Sequence, residues 1–300
     1  MRDAARVRVP RRRWLGLALG GVALALVGLR VGGLEHRRGP LFVRRLGRVG
    51  SNVLCLHGLF ASGAFFLPLA GQLSQEFRLT IPDLIGFGAS PKPNVDYTLD
   101  FHLGWLTPLL GEGTSWTVIG HSMGCVLAAH LARRFPDRIR RLLLFSAPVY
   151  ASAESRRRIF GRQNVLTRAS TRSELAAQAL CESTVCSLRP ILTRLAPSLS
   201  PHVPPQVASD YFRHTWHSYH WSFWRLILER DLLADLTAVR QPMLVIQGGR
   251  DTLVEAPERV SWPANLEVRV LAEHDHASLL LHEPGRAADL VRGFVHSDPT

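Results

Sequence analysis

The sequence predicts an α/β fold with a mostly parallel central sheet, crossover helices and an inserted helical cap. Short apolar runs alternate with amphipathic stretches along most of the chain, which is typical of parallel strands joined by helices. This rhythm stops between about residues 148 and 238, where helical patterns take over. We therefore expect one core domain over residues 40–298 that carries a cap near 148–238, and no second independent domain.

The predicted strands are short apolar runs bounded by turn-forming residues. They lie near residues 52–57, 78–82, 116–120, 140–145, 242–247 and 266–271. Between the last strand and the C-terminus, Pro284 suits the first turn of a helix whose buried stripe includes Val291 and Phe294. An earlier helix over residues 123–135 must end before Pro136, because proline cannot continue it.

The third predicted strand runs into Gly120-His121-Ser122-Met123-Gly124, a G-x-S-x-G sequence that opens the helix over 123–135. A serine on a sharp turn between strand and helix has an exposed hydroxyl, and flanking glycines remove the Cβ atoms that would clash there. The pentapeptide alone also fits a glycine-rich turn with a capping serine. Its position between a strand and a helix favours a nucleophile.

Three other strand ends add polar groups of the kind that acyl transfer requires. The first predicted strand ends in His57-Gly58-Leu59, a turn whose Leu59 N–H can join Met123 N–H in stabilising a developing oxyanion. The strand over 242–247 is followed by Asp251, and the last strand leads to His276. The chain order is therefore serine, aspartate, histidine.

Together these segments resemble the α/β-hydrolase superfamily, in its large group of esterases, lipases and related serine hydrolases. The resemblance runs from about residue 50 to about residue 296 and is poor between about 148 and 238. The motifs that carry it are the G-x-S-x-G elbow, His57-Gly58, the turn over residues 83–90, Gly248-x-x-Asp251, and a final histidine followed by Glu283-Pro284.

The resemblance implies a catalytic triad. Ser122 would attack the acyl carbon, His276 would take the serine proton and return it to the leaving group, and Asp251 would orient His276. Leu59 and Met123 would supply the backbone N–H groups of the oxyanion hole. Asp251 also fits a solvated helix cap, but the strand that precedes it favours the catalytic role.

Several other histidines are candidates for the catalytic base. His274 and His282 lie close to His276, which we favour because it is followed by a short apolar turn and then by an acidic residue and proline. His57 and His121 are expected to brace the oxyanion turn and the elbow rather than take part in catalysis.

The implied function is hydrolysis of carboxylic esters, of an apolar or lipid-like kind, through an acyl-enzyme on Ser122. A thioesterase, an acyltransferase and a cofactor-free perhydrolase use the same triad, so they stay open as alternatives. A non-catalytic ligand-binding protein that keeps the fold is the alternative of another class. No phosphate loop or dinucleotide motif is present, and we expect no cofactor.

The predicted cap contains an aromatic stripe at helical spacing and a polar stripe on what we interpret as the same helix. The aromatic stripe fits docking of the cap onto the core, and it also fits a wall of an apolar pocket. The polar stripe is Asp210, His214 and His217, which we interpret as a solvated face rather than a metal site. The aromatic stripe consists of Phe212, Trp216, Tyr219, Phe223 and Leu226.

Residues 1–35 predict a membrane anchor or an export signal, because a cluster of arginines precedes an uncharged apolar run over 14–29. Either would place the catalytic domain outside the cytoplasmic membrane. A buried, non-spanning helix is the alternative. The net charge of +12 favours an anionic membrane surface over nucleic acid, for which no binding motif is present.

The chain has four cysteines. Cys55 and Cys125 fall in apolar patterns and are expected to be small buried residues. Cys181 and Cys186 lie in the cap, where they could pair if the domain is exported and the segment is not one continuous helix, so their pairing stays open. The oligomeric state and the individual substrate are not encoded in any of these patterns.

Overall fold

A computed structural model describes residues 40–163 and 165–297. Its centre is a seven-stranded sheet in the order β1-β3-β2-β4-β5-β6-β7. Strand β1 runs antiparallel to β3, and the remaining neighbours are parallel. The strands are β1 (Val43–Leu46), β2 (Asn52–Leu56), β3 (Arg78–Pro82), β4 (Trp116–His121), β5 (Ile139–Phe145), β6 (Met243–Gly248) and β7 (Leu266–Leu271).

The predicted mostly parallel α/β architecture is confirmed, and the predicted runs match β2 to β7 within one residue at each end. The sequence pattern missed β1. This strand lies at the sheet edge, reads Val-Arg-Arg-Leu and is half-buried to exposed, so it lacks the apolar run of an interior strand.

Helices cover both faces of the sheet. Alternate residues of β2 show the two faces, since Leu54 and Leu56 pack into one apolar core while Val53 and Cys55 pack into the other. The first core includes residues of α2 (Leu99–Leu106) and α3 (Met123–Arg134). The second includes residues of α1 (Leu67–Leu73), α11 (Ser278–His282) and α12 (Pro284–His296).

The helix ends follow the predicted stop and start signals. Helix α3 ends at Arg134, just before Pro136, and α12 begins at Pro284. Val291 and Phe294 are buried on the inner side of α12, as the stripe predicted.

The chain between β5 and β6 is helical and forms the cap. Its helices are α4 (Ala153–Gly161), α5 (Val165–Ser170), α6 (Glu174–Ser183), α7 (Val185–Leu199), α8 (Pro205–Asp210), α9 (Trp216–Phe223) and α10 (Leu232–Thr237), and a π-helical turn (Trp224–Leu228) follows α9. A disulfide joins Cys181 of α6 to Cys186 of α7, while Cys55 and Cys125 are free and buried.

The aromatic stripe is shorter than predicted. Trp216, Tyr219 and Phe223 lie on one buried side of α9, but Phe212 precedes the helix. Thr215 caps α9 through a reciprocal capping box with Ser218, and this cap sets the start of the helix. The buried stripe therefore docks the cap onto the core.

Within residues 40–163 and 165–297, no helix is both long and apolar enough to cross a bilayer. The anchor or signal predicted for residues 1–35 lies outside the described residues and stays a prediction.

Candidate active site

Ser122 lies at a sharp turn between β4 and α3. Its φ is 52°, in the left-handed region that non-glycine residues rarely adopt. Its N–H donates to Phe145 O at 2.9 Å, and its carbonyl accepts from Cys125 N–H at 2.9 Å. The backbone thus holds the half-buried serine in a strained conformation at the end of a central strand.

The glycines of the elbow allow close approach of backbone to backbone. A Cβ on Gly124 would lie 2.0 Å from Leu56 O, and one on Gly120 would lie 2.7 Å from Cys125 Cα. Neither neighbour is a flexible side chain, so both positions require glycine.

The predicted oxyanion turn packs directly against the elbow, since a Cβ on Gly58 would lie 3.0 Å from Ser122 Cβ. Leu59, the next residue, has an N–H with no acceptor in the described part of the chain. Met123 opens α3, so its N–H has no acceptor within the helix. Neither predicted amide therefore has an acceptor among the described residues.

Two buried polar residues brace this turn. His57 donates from Nδ1 to Gly58 O at 2.8 Å and accepts from Leu84 N–H at Nε2 at 2.9 Å. Burial lowers the pKa of His57, which agrees with a neutral ring that both donates and accepts. Asp83 accepts from Gly63 N–H at 2.7 Å and pairs with Arg44 of β1 at 2.5 Å. Both residues hold the loop through these hydrogen bonds.

Asp251 and His276 form a close pair beyond β6 and β7. His276 Nδ1 lies 2.8 Å from Asp251 Oδ2, and the aspartate side chain is fully buried. Burial by itself raises the pKa of Asp251, but the His276 charge, its hydrogen bond and the Leu253 N–H outweigh burial and hold that pKa below its usual value. An ionised Asp251 can therefore orient the imidazole and stabilise its protonated form.

The competing histidines lie elsewhere. His274 Nδ1 is 3.1 Å from Ser278 Oγ, and His282 Nε2 is 3.0 Å from His202 O. Of the three neighbouring histidines, His276 is the one that reaches Asp251.

Two residues outside the predicted triad hold the backbone of His276, and of these only His121 was singled out from the sequence. His121 Nε2 donates to the His276 carbonyl at 2.8 Å, and Ser146 Oγ donates to the same oxygen at 3.1 Å. Ser146 follows β5 just as Ser122 follows β4, and it also has a positive φ, of 50°. Its place at the carboxyl end of a strand was the one signal that could have identified it.

His276 therefore lies beside the elbow. The rings of His121 and His276 are 5.0 Å apart between centroids, and His121 precedes Ser122. No hydrogen bond joins Ser122 Oγ to His276 in the described structure, and such contacts are commonly longer before substrate binds.

The cap is attached to the oxyanion turn by aromatic stacking and one buried hydrogen bond. The Phe60 ring stacks on Tyr211 at 5.0 Å and on Tyr219 at 4.7 Å. Ser62 Oγ donates to Asp210 Oδ2 at 2.5 Å, and both residues are buried. Tyr211 and Tyr219 of the cap therefore contact Phe60, which directly follows Leu59.

The predicted solvated stripe of Asp210, His214 and His217 is wrong. Asp210 ends α8, His214 lies between helices and His217 belongs to α9, so they do not share a helix. Asp210 and His214 are buried because they contact Ser62 and Phe60 from the core. Among residues 40–163 and 165–297, no group of three or more His, Cys, Asp or Glu side chains is arranged to hold a metal.

Comparison with known proteins agrees with this architecture. A family model described as alpha/beta hydrolase fold matches residues 52–283. The chain belongs to the α/β-hydrolase family.

Curated relatives include two from Arabidopsis thaliana. The chain is 26% identical over 284 residues to Probable lysophospholipase BODYGUARD 5, a match that covers 82% of this chain and 62% of that protein. It is 33% identical over 143 residues to Probable lysophospholipase BODYGUARD 3, covering 45% and 28%. The chain thus spans less than two thirds of these relatives.

Solved structures with the same fold include E-2-(acetamidomethylene)succinate hydrolase, with a TM-score of 0.67 at 20% identity over 86% of this chain and 95% of that chain. An esterase from Exiguobacterium antarcticum has a TM-score of 0.66 at 19% identity, with 86% and 96% covered. At these identities the similarity shows the fold.

Proposed function

We propose that this protein is a serine hydrolase that cleaves carboxylic esters through an acyl-enzyme on Ser122, with apolar or lipid-like substrates. The observation that carries the proposal is a strained serine at a strand end beside the buried Asp251–His276 pair. A thioesterase, an acyltransferase and a cofactor-free perhydrolase would use the same triad geometry. They differ from an esterase in the acyl donor or in the acyl acceptor.

The proposed reaction has two halves. His276 Nε2 takes the Ser122 proton as Oγ bonds to the acyl carbon, and the Leu59 and Met123 amides stabilise the resulting oxyanion. The C–O bond then breaks, and His276 gives its proton to the departing alcohol. Water repeats the sequence on the acyl-enzyme, releasing the acid and freeing Ser122. Asp251 stays ionised throughout and stabilises the His276 imidazolium.

Two observations support an apolar substrate. The Phe60, Tyr211 and Tyr219 rings stack beside the oxyanion turn, and Tyr211 is partly exposed, so a substrate would meet aromatic surface near Ser122. The relatives named as probable lysophospholipases extend the proposal to lipid-like esters.

The test is hydrolysis of a series of 4-nitrophenyl esters of increasing acyl length, with Ser122→Ala as the matched variant. We expect turnover by the wild type, a preference for longer acyl chains, and loss of turnover in Ser122→Ala. A matched thioester, and methanol or hydrogen peroxide as acceptor, separate the related activities. Saturable binding of the esters without turnover would instead favour a ligand-binding protein.

We also infer that residues 1–35 anchor or export the protein and place its catalytic domain outside the cytoplasmic membrane. The arginine cluster before the apolar run supports this proposal, and so does the Cys181–Cys186 disulfide, because such bonds persist mainly in oxidising compartments. Membrane fractionation with N-terminal mass analysis tests it. Protein that stays in the soluble cytoplasmic fraction with an intact N-terminus would contradict it.

A further inference from the structure

The outer side of α7 exposes an apolar stripe. Leu188, Ile191, Leu195 and Leu199 recur at intervals of three and four residues, so they share one side of the helix. All are exposed, Ile191 to 56% and Leu199 to 61%. We call these four side chains the α7 face. Large aliphatic groups aligned in water in this way indicate a binding surface.

The chain segment that carries the α7 face has formal charges of one sign. No Asp or Glu occurs between Glu182 and Asp210, whereas Arg189 and Arg194 lie within α7. Arg194 is exposed on the flank of the stripe. Arg189 is half-buried, so Arg194 is the basic side chain that α7 exposes beside the stripe. An apolar face with an exposed basic flank is the pattern of helices that lie in the interface of anionic membranes.

The α7 face lies on the cap close to the candidate active site. Helix α8 packs against α7 and also against the short helical turn Gly63–Phe66, which follows the oxyanion turn. Asp210 at the end of α8 accepts the hydrogen bond from Ser62. A surface that bound α7 would therefore lie one helix away from the oxyanion turn.

We propose that the α7 face docks the cap onto an anionic lipid surface, with the aliphatic side chains inserted below the headgroups and Arg194 among the phosphates. A lipid surface fits better than a second copy of the chain. A stable dimer buries roughly 800 Å² per partner, more than one row of partly exposed aliphatic side chains offers. The excess of basic residues would also repel an identical face, while anionic lipid attracts it.

The experiment uses the full-length chain, so that the proposed N-terminal anchor is present in every sample. An environment-sensitive NBD fluorophore is attached at Ile191→Cys, and at Val49→Cys as an exposed control in the turn between β1 and β2. The native free cysteines are buried and should not react. Vesicles contain phosphatidylcholine alone, or phosphatidylcholine and phosphatidylglycerol in equal parts.

We expect a blue shift and an emission increase at position 191 with the anionic vesicles and neither at position 49. In the labelled Ile191→Cys protein, Leu195→Ser should weaken this response roughly tenfold, because a buried aliphatic side chain contributes about that factor. Arg194→Glu should weaken the response by a similar factor, whereas Arg240→Glu, an exposed control outside the cap helices, should change it little.

Three results would overturn the proposal. One is an equal response at positions 191 and 49, which would mean that the protein reaches the vesicle without α7. Another is an equal response on phosphatidylcholine alone. The third is a vesicle-independent blue shift at 191, which would assign the α7 face to a second copy if it grows with protein concentration, or to another part of the chain if it does not. The readout needs no catalysis, so it fails or succeeds separately from the proposed hydrolase activity.

Discussion

The edge of the sheet that carries the proposed triad, which we call the catalytic edge, and the cap are built differently. At the catalytic edge, backbone contacts leave no space: a Cβ on Gly124 would meet Leu56 O at 2.0 Å. In the cap, Gly161 of α4 has nothing within 4 Å of such a Cβ.

The difference in packing between the catalytic edge and the cap corresponds to different tasks of the two regions. The catalytic edge fixes atoms whose positions determine the chemistry, and strained residues such as Ser122 and Ser146 persist there because the surroundings hold them. The cap is held mainly by side-chain contacts, which can rearrange at lower cost in free energy. We therefore expect substitutions at the edge to affect turnover and folding strongly, and substitutions in the cap to have smaller effects.

The largest effect is expected for His276, the proposed catalytic histidine. His276→Ala removes the base paired with Asp251, and kcat should fall by about 10⁴-fold or more, as is general for such groups. His274→Ala and His282→Ala should retain most activity, since neither side chain reaches Asp251. Steady-state kinetics on the three variants, with folding checked by circular dichroism, measures these effects. Loss of activity in His274→Ala alone would show that His274 is the base.

Alanine substitutions at two glycines, one in each region, test whether the catalytic edge is packed more tightly than the cap. Gly124→Ala should lower the free energy of unfolding by about 3 kcal/mol or more, because Leu56 O cannot move without disturbing β2. Gly161→Ala, in open space on a helix, should raise it by up to about 1 kcal/mol. Urea unfolding of both variants measures the difference, and equal destabilisation would contradict the contrast.

A third effect, on the pH dependence of stability, is expected from three buried histidines, two outside the cap and one in it. Burial lowers the pKa of His102, His121 and His214 to about 3, from 6.5. As the pH falls below 6.5, the unfolded chain takes up protons at these positions before the folded chain does. Each should therefore reduce the free energy of unfolding by about 1.4 kcal/mol per pH unit between these two values.

The variant His102→Gln isolates one of these contributions, because a glutamine amide can keep the hydrogen bond that His102 Nε2 makes with Ser222. Its unfolding free energy should fall less steeply with acid than that of the wild type. Parallel slopes in denaturant titrations at several pH values would show that His102 is not the group that titrates.

The smallest effect is expected where the cap meets the edge. Ser62→Ala removes a donor from the buried carboxylate of Asp210, which keeps Gln206 and Arg213 as partners. We expect a loss of about 1 kcal/mol of stability and a raised KM with a nearly unchanged kcat, because the cap would loosen while the triad stays in place. A lowered kcat with an unchanged KM would place Ser62 in the chemistry instead.

The sequence predicted the edge better than the cap, for a physical reason. Ser122, Asp251 and the Gly58 turn each follow an apolar strand, so local patterns locate them and the parallel sheet brings them to one edge. Ser146 was missed because its partner, the His276 carbonyl, is 130 residues away in the chain. Arg44 was missed because it lies on a half-exposed edge strand that local patterns do not mark.

In the cap, local patterns misled. Asp210 and His214 have helical spacing, but the chain breaks between α8 and α9, and contacts with Ser62 and Phe60 bury them. The capping-box residues Thr215 and Ser218 mark the start of α9. The prediction, which rested on helical spacing alone, did not use this signal.

The proposed function requires that the catalytic edge activates Ser122 as a nucleophile. It is tested most directly by intact-protein mass spectrometry after treatment with a fluorophosphonate, followed by peptide mapping. We expect a single covalent adduct on Ser122 in the wild type, no adduct in Ser122→Ala, and slow labelling in His276→Ala. Labelling of Ser122→Ala at the wild-type rate, or no labelling of the folded wild type, would contradict it.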